Sequence, residues 1–291
     1  MSTITPRVPL KPSDKNRSLE QIKEHYEIEK KLFSQLRNST KEERKELYTL
    51  LYDQLLEQVP HHPLLTRKSD PDVTAWIVNQ RMQLLSRFLS PDLIFMEIGP
   101  GDCSVSLEVS KTVKKVYAAD VSTAITKRSD LPSNFELIIM PDGCSIPIPE
   151  NTVNLAYSHQ LMEHLHPEDA IEQLRNICRV LAPGGQYICI TPNRLSGPHD
   201  VSQYFDEVAT GWHLKEYTVT ELYNLFKQAG FSHIKWVKSK PKMYIEIPLE
   251  MGITSLVELT ENILDSLPFS LRRKIASTPL LFRGMTIIGT K

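Results

Sequence analysis

The spacing of apolar residues changes once along the chain, near residue 90. Before this point apolar side chains recur at intervals of three and four residues, the spacing of one face of an α-helix. After it, short apolar runs alternate with segments of helical spacing. Alternation of strand and helix is typical of a parallel sheet with crossover helices, so the pattern predicts an α/β fold whose sheet begins near residue 93.

Helical spacing in the first part of the chain predicts three amphipathic helices, over residues 19–36, 39–59 and 72–89. The second opens with Ser39-Thr40-Lys41-Glu42-Glu43, which suits a helix cap followed by acids in the first turn. We interpret residues 16–90 as an N-terminal helical cap over the remaining structure. Residues 1–15 are polar and contain proline, and we expect them to form a disordered lead-in.

Strand patterns in the second part predict seven strands, over residues 93–98, 115–119, 135–140, 153–158, 186–191, 231–237 and 285–290. We therefore expect a core of residues 91–240, completed by a last strand within residues 284–291. Residues 241–283 are partly helical in spacing and predict a helical insert. Within it, residues 270–282 are basic and apolar, so they either contact a lipid-like surface or form a solvated helix face beside the core.

Composition and charge narrow the class of protein. A net charge of -1 provides no basic footprint for nucleic acid, and no apolar run approaches the roughly 20 residues of a membrane span. The N-terminus lacks the apolar region of a signal peptide. The cysteines form no C-x-x-C pair, so we expect neither a disulfide framework nor a metal site; they are Cys103, Cys144, Cys178 and Cys189. These features predict a reduced, cytoplasmic protein, and they carry no signal for its oligomeric state.

The candidate chemistry begins where the first predicted strand ends. Its apolar run ends in Glu97-Ile98, and Gly99 and Gly101 follow at once. Glycines at this place predict a tight turn that lets the backbone approach a ligand, with the N–H groups of the next helix facing it. The dinucleotide fingerprint has a third glycine three residues later, where this chain has Ser104.

Two acids follow the next two strands. Asp120 ends the second strand, about 20 residues beyond the glycines, where a carboxylate can accept hydrogen bonds from ribose hydroxyls. Asp142 follows the third strand and can accept a hydrogen bond from an adenine amino group. Two acids at the ends of consecutive strands, beside a glycine turn, indicate a cofactor that contains a nucleoside.

Five segments of the chain together resemble the class I S-adenosylmethionine-dependent methyltransferases, in particular their small-molecule group. They are Glu97-Ile98-Gly99-Pro100-Gly101, Val116-Tyr117-Ala118-Ala119-Asp120, Pro141-Asp142-Gly143, Ser158-His159-Gln160-Leu161-Met162-Glu163-His164-Leu165 and Leu181-Ala182-Pro183-Gly184-Gly185. The resemblance covers roughly residues 75–239. It implies a Rossmann-like, doubly wound, seven-stranded sheet, mostly parallel with an antiparallel last strand.

The same resemblance implies S-adenosylmethionine as the cofactor and a set of residues that hold it. Glu97, Gly99 and Gly101 would line its methionine part, Asp120 and Val121 its ribose, Asp142 and Gly143 its adenine, while Ser158 and His159 would flank the sulfonium methyl. The chain departs from the family at Cys103, commonly glycine, and at Asn154, commonly aspartate. It also lacks the Asp/Asn-Pro-Pro-aromatic motif of enzymes that methylate amino groups of DNA bases, which argues against a nucleic-acid substrate.

The acceptor side is predicted from the chemistry of methyl transfer. An in-line displacement depends mainly on positioning, and an oxygen acceptor benefits from a histidine base. His159 is the first candidate for this base, followed by His199 and His213. Further candidates for acceptor binding lie after the fourth and fifth strands: Gln160, His164, Arg194, His199 and Asp200. We therefore expect methylation of a hydroxyl on a small molecule.

Two other functions compete with this expectation. A nicotinamide-dependent oxidoreductase is opposed by the missing third glycine and by the turn Pro183-Gly184-Gly185. A non-catalytic module that keeps the cofactor fold is opposed by Asp120 and Asp142, because an idle pocket has no need of both acids.

Overall fold

We describe the protein from a computed structural model that covers residues 5–68, 71–121, 131–240, 243–278 and 281–291. Its helices are α1 (Leu19–Asn38), α2 (Lys41–Gln58), α3 (Pro63–Lys68), α4 (Pro71–Leu85), α5 (Ser104–Ser110), α6 (Pro167–Val180), α7 (Val219–Ala229), α8 (Met251–Asp265) and α9 (Phe269–Ala276). Its strands are β1 (Ile94–Ile98), β2 (Lys115–Asp120), β3 (Phe135–Ile139), β4 (Val153–His159), β5 (Leu181–Thr191), β6 (His233–Lys240), β7 (Met243–Pro248) and β8 (Met285–Thr290). No helix among these residues is both long and apolar enough to cross a membrane.

All the strands form one sheet in the order β3-β2-β1-β4-β5-β8-β6-β7. The pairs from β3 to β5 are parallel, whereas β8 runs antiparallel to both β5 and β6. This confirms the mostly parallel, doubly wound sheet with an antiparallel last strand. The strand order reverses between β1 and β4, and ligands of such sheets bind at the carboxyl ends of the strands beside this reversal.

The sheet has eight strands among the described residues, not the predicted seven. The additional strand, β7, lies in the segment 241–283 for which we predicted only a helical insert, and it pairs antiparallel with β6. Its residues are exposed or partly exposed because it forms the edge of the sheet. An exposed edge strand lacks the buried apolar run of the inner strands, so its hydrogen bonds to β6 define it more than its composition does.

Each inner strand places side chains on both faces of the sheet, and both faces are buried. Met96 and Ile98 face a core shared with α6 and α7, whereas Phe95 faces a core shared with α4 and α5. This explains why β1 is apolar except at Glu97 instead of alternating between apolar and polar residues. The carboxyl end of β1 is consequently held on two sides, and the glycine turn begins from a fixed position.

The N-terminal helices pack against the segment that follows β5. A small core of α1 and α2, which includes Phe33, Leu36 and Leu55, contacts Trp212 and Leu214. The predicted cap of α2 is confirmed: the N–H of Thr40 donates to the Glu43 carboxylate at 2.7 Å, and the N–H of Glu43 donates to Oγ1 of Thr40 at 3.4 Å. Because α1 and α2 pack on the segment that follows β5, the N-terminal helices lie over the carboxyl edge of the sheet.

Residues 5–15 fall within the segment for which we predicted disorder, but they pack against the rest of the chain. Pro12–Asp14 form a 3-10 turn. The N–H of Lys11 donates to the Tyr204 hydroxyl at 3.0 Å, and that hydroxyl donates to Asp14 at 2.8 Å. These partners lie about 190 residues away in sequence, so no local pattern could reveal them. Residues 1–4 lie outside the described residues.

Candidate active site

The glycine turn has the backbone conformation that its sequence requires. Gly99 and Gly101 have φ angles of +68° and +60°, in the left-handed region that favours glycine. The N–H of Gly99 donates to the carbonyl of Ala119 at 2.9 Å, which ties the turn to β2. A Cβ atom on Gly101 would meet no described atom within 4 Å, so the space beside it is open to a ligand. Cys103, which stands where the family commonly has glycine, also adopts a left-handed conformation, with φ of 60°.

Glu97 is enclosed just before this turn. It is 1% exposed, and the Ser106 hydroxyl donates to Oε2 of Glu97 at 2.5 Å. Burial raises the pKa of Glu97 to about 7, although the bond from Ser106 and the charge of Arg81 oppose the rise. The carboxyl group therefore changes its protonation near neutral pH.

This raised pKa predicts a pH-dependent contribution to stability. The pKa of Glu97 in the folded state lies above its pKa in the unfolded chain. The contribution of Glu97 to stability is therefore fully present below the pKa of the unfolded chain, and it is lost as pH rises through about 7. We expect the free energy of unfolding of the native chain, relative to Glu97→Gln, to fall by on the order of 3 kcal/mol between pH 4.5 and 7. Urea unfolding across this range measures it, and a constant difference would contradict the prediction.

Helix α2 covers the end of β2, where Asp120 is partly exposed and Val121 follows it. The Thr49 hydroxyl donates to the carbonyl of Val121 at 3.1 Å. The Tyr48 ring lies 3.6 Å from the position of a Cβ on Gly143, and the Val121 side chain lies 3.7 Å from it. The sequence showed no chemistry in the N-terminal helices, yet two side chains of α2 line the side predicted to hold the nucleoside.

Asp142 holds the turn after β3 through local hydrogen bonds. Its Oδ1 accepts the N–H groups of Cys144 and Ser145 at 2.9 and 2.8 Å, and its Oδ2 accepts the Ser145 hydroxyl at 2.5 Å. Burial opposes ionisation, but these bonds keep the pKa of Asp142 below its usual value. Asp142 is therefore an ionised turn residue, and its contact with adenine stays a prediction.

The end of β4 turns its residues in different directions. Ser158 is fully buried, and its hydroxyl shares a hydrogen bond with the Tyr187 hydroxyl at 2.6 Å. His159 is partly exposed, and Nη2 of Arg81 lies 3.4 Å from its Nδ1. Gln160 is exposed, with φ of 55°, and its N–H donates to the carbonyl of Ile190 at 2.7 Å. Arg81, on α4, was not predicted from the sequence because its contact with β4 is purely tertiary.

The segment after β5 gathers predicted acceptor-side residues around Glu216. Oε1 of this buried carboxylate accepts the N–H of His199 at 2.7 Å and Nδ1–H of His213 at 2.6 Å. Asp200 accepts the N–H groups of Gly211 and His213 at 3.1 and 3.2 Å, so it closes the loop between them. Glu216 was missed because it lies away from the strand ends in sequence.

The pKa values of His199 and His213 shift in opposite directions in this buried group. Burial lowers the pKa of His199 to about 4, and Glu216 only partly offsets the effect. Burial also disfavours charge on His213, but the hydrogen bond and the charge of Glu216 raise its pKa to about 9. His213 and Glu216 therefore form a buried ion pair in this structure.

Arg194 is directed away from this group. Its guanidinium forms two hydrogen bonds to Asp265 of α8, at 2.9 and 3.2 Å, and both side chains are over a third exposed. Arg194 thus joins the segment after β5 to the insert, and its contact with an acceptor stays a prediction.

His164 lies beside His213. Their ring centroids are 4.9 Å apart, and Trp212 packs on His164 at 4.3 Å. Burial lowers the pKa of His164 to about 3. Its neighbour Glu163 is fully buried, and burial raises the pKa of this carboxyl group to about 7. His164 was predicted as an acceptor-binding residue, and the sequence did not reveal that His213 approaches it from another segment.

Helix α1 holds this segment in place. The Arg37 guanidinium donates to the carbonyl oxygens of Thr210, Gly211 and His213 at 2.6 to 2.9 Å. The buried carboxylate of Glu29 accepts the N–H of Trp212 at 3.1 Å. The cap therefore supplies backbone partners to a long loop that has little regular structure of its own.

Comparison with known proteins finds a family match within the core. Residues 96–189 match the model of a methyltransferase domain. A probable S-adenosylmethionine-dependent methyltransferase of Mycolicibacterium smegmatis is 33% identical over 86 residues, which cover 30% of this chain and 31% of that protein. The alignment thus spans about a third of the relative's length.

Solved structures share the fold at low identity. A chain of the complex between the Haloferax volcanii Trm112 methyltransferase activator and a methyltransferase aligns with a TM-score of 0.51, 14% identity, and coverage of 76% of this chain and 94% of that one. Phosphoethanolamine N-methyltransferase 1 of Haemonchus contortus aligns with a TM-score of 0.55, 16% identity, and coverage of 87% and 50%. Residues 96–189 thus match a methyltransferase domain, the relative that resembles this chain over 86 residues is a probable S-adenosylmethionine-dependent methyltransferase, and the solved structures share the fold.

Proposed function

We propose that this chain transfers a methyl group from S-adenosylmethionine to a hydroxyl of a small-molecule acceptor. The observation that carries this proposal is the carboxyl edge of the sheet. There the open turn at Gly101, the partly exposed Asp120 and the partly exposed His159 follow adjacent strands, at the place where ligands of such sheets bind. The cofactor supplies the methyl group on a positively charged sulfur.

The residues at this edge fit the parts of the cofactor. The backbone at Gly99 and Gly101 offers close approach to its methionine part, and Asp120 offers a carboxylate to its ribose hydroxyls. Tyr48 of α2 adds an aromatic wall beside Gly143, on the adenine side. These contacts need no rearrangement of the strands, because each residue already lies at a strand end or against one.

The cover over this edge supports a small acceptor. Glu29 and Arg37 of α1 bind the backbone of residues 210–213, and Lys11 donates to the carbonyl of His199 at 2.7 Å. An edge closed by helices and a tied loop suits a compact molecule better than a polymer. The net charge of -1 likewise provides no footprint for nucleic acid.

His159 is our choice for the group that handles the acceptor's proton. His199 already shares its Nε2 with the Ser196 hydroxyl at 3.0 Å, and His213 is paired with Glu216. His159 instead ends β4 directly beside the glycine turn, with Leu161 packed against Gly99. Because arginine only donates, Arg81 selects the tautomer of His159 that has its proton on Nε2. To act as the base, His159 must leave this bond and adopt the other tautomer, with its proton on Nδ1; Nε2 then takes the acceptor's proton while the oxygen bonds the methyl carbon and the sulfur leaves.

The cysteines support the proposal of a cytoplasmic location. All four are free thiols and buried. Free thiols persist in reducing compartments, which supports the cytoplasm as the site of action.

The proposal is tested first on the cofactor, because this needs no knowledge of the acceptor. Calorimetric titration is expected to show binding of S-adenosylmethionine and no binding of a nicotinamide cofactor. Asp120→Ala should weaken binding by about 10-fold, since a hydrogen bond to a charged group contributes about 1.5 kcal/mol or more. The matched control is Asp92→Ala, an exposed acid before β1. Tighter binding of the nicotinamide cofactor, or an Asp120→Ala variant that binds like the native chain, would contradict the proposal.

The acceptor is then sought with methyl-labelled cofactor and fractionated metabolite extracts. The expected result is a labelled small molecule whose new methyl ether is identified by mass spectrometry. Label on nitrogen or carbon, or only on macromolecules, would refute the assignment to a hydroxyl of a small molecule.

A further inference from the structure

A cluster of metal-binding side chain types lies where the turn after β4 meets the segment after β5. One carboxylate oxygen of Glu163 and one ring nitrogen each of His164 and His213 lie within 4.8 Å of one another. The Thr191 hydroxyl, at the end of β5, donates to Oε2 of Glu163 at 2.9 Å. The cluster therefore lies at the same carboxyl edge as the glycine turn.

Both histidines in the cluster are oriented by oxygen acceptors. Nδ1 of His213 donates to Glu216 at 2.6 Å, and Nδ1 of His164 donates to the carbonyl of Trp212 at 3.4 Å. In each ring, Nε2 is left as the atom that can face a metal ion. Neutral His164 carries a lone pair there, whereas His213, a cation in its ion pair with Glu216, must release its Nε2 proton to solvent when the ion binds. Histidines that bind metals characteristically donate their other ring N–H to a carboxylate or a carbonyl, which fixes the tautomer.

Glu163 provides independent evidence of a missing partner. Its side chain is fully buried, and Oε1 has no hydrogen-bond partner among the described residues. A buried carboxylate oxygen without a partner is costly, and a cation removes that cost. Once His213 has released its proton, Glu163 and Glu216 together bring two negative charges, which match a divalent ion.

A second histidine cluster in the chain shows the opposite arrangement. His25 and His62 flank the buried Glu29, but Arg17 donates to Nδ1 of His25 at 2.9 Å and the N–H of Leu64 donates to Nδ1 of His62 at 3.2 Å. Their protons therefore lie on Nε2, which points to Glu29 at 2.8 and 3.9 Å. This carboxylate is already supplied with donors, and neither imidazole has a lone pair available for an ion.

We propose that Glu163, His164 and His213 bind a divalent transition-metal ion, with Zn²⁺ as the ion of choice for the test. Two histidines and one carboxylate form a known zinc ligand set that leaves a fourth position open. Ligand atoms around tetrahedral zinc lie roughly 3.3 Å apart, so these side chains close on the ion by about 1.5 Å at most. The site revises our sequence-based expectation of no metal, and it does not depend on which acceptor is methylated.

The test uses the full chain, stripped with a chelator and dialysed. Titration with Zn²⁺ is expected to show one ion per chain, and substitution with Co²⁺ should give the absorption bands of a tetrahedral site. Glu163→Gln and His164→Gln should each weaken Zn²⁺ binding by about 100-fold or more, because each removes a ligand, and Glu216→Gln should weaken it by about 10- to 100-fold through the orientation of His213. Circular dichroism and binding of S-adenosylmethionine establish that each variant is folded.

The double variant His25→Gln/His62→Gln is the matched control, and it should bind Zn²⁺ like the native chain. Loss of the ion in this control, with normal binding in Glu163→Gln and His164→Gln, would move the site to the other cluster and overturn the proposal. Failure of the native chain to bind Zn²⁺ or Co²⁺ would overturn it as well. A Co²⁺ spectrum that changes in Glu216→Gln would support the orienting role of Glu216, which a merely structural carboxylate would not produce.

Discussion

Replacement of Arg44 by methionine is expected to lower the free energy of unfolding by about 3–5 kcal/mol. Arg44 of α2 is 2% exposed and donates to both carboxylate oxygens of Asp169 on α6, at 2.6 and 2.9 Å. Its removal leaves Asp169 buried with only the Tyr48 hydroxyl, at 2.6 Å, as a side chain donor in the described structure. Removing one partner of a buried ion pair is costly because the other charge stays desolvated. Urea unfolding at neutral pH measures the loss.

The double variant Arg44→Met/Asp169→Leu distinguishes this cause from lost packing. It removes both charges, so most of the stability should return, and the two substitutions should be strongly non-additive. The exposed Arg175 on α6 offers a control, since Arg175→Met should change stability by no more than about 0.5 kcal/mol. An Arg44→Met variant as stable as this control would show that the ion pair does not hold the cap.

Replacement of His159 by glutamine is expected to lower kcat for methyl transfer by about 100-fold or more, the usual contribution of a general base. Glutamine keeps a hydrogen-bonding group of similar reach but cannot take up the acceptor's proton. Binding of S-adenosylmethionine should change little, because the substitution leaves the glycine turn and Asp120 intact. The measurement is kcat and KM with the acceptor found in the labelling experiment, beside the cofactor affinity from calorimetry.

Two further substitutions make this assignment falsifiable. His233→Gln alters an exposed histidine at the start of β6 and should leave the rate unchanged. His199→Gln removes a ring that is held within its own loop, and it should affect KM more than kcat. If His199→Gln abolished turnover while His159→Gln retained it, His199 would be the base.

The features predicted best from the sequence are those set by neighbours in the chain. The run from β1 into the glycine turn is local: a doubly buried strand must be apolar, and positive φ angles at Gly99 and Gly101 favour glycine. The cap of α2 was predicted for the same reason, since Thr40 and Glu43 bond to each other within one turn. The prediction that Asp120 lies beside the glycine turn needed one further inference. It rests on the rule that the carboxyl ends of adjacent parallel strands meet at one edge of the sheet.

The acceptor-site residues stay a prediction, and the sequence did not reveal the contacts that these residues make in the structure. The loop after β5 supplied the candidates, but the sequence could not separate Arg194, which pairs with Asp265, from His213, which meets His164. Both outcomes depend on contacts between segments about 50 to 70 residues apart. Local spacing has no information about which partner a long side chain finds at that distance.

By itself, the sequence determined the alternation of strands and helices, the glycine turn, the acid after β2 and hence the methyltransferase class. These follow from hydrophobic burial and backbone conformation, which act over a few residues. Only the tertiary structure decided how the N-terminal helices bind the edge of the sheet, through Arg44 with Asp169 and Glu29 with Trp212. It also decided that Glu163, His164 and His213 converge. Such buried polar contacts form wherever packing brings the groups together, and that depends on the whole fold.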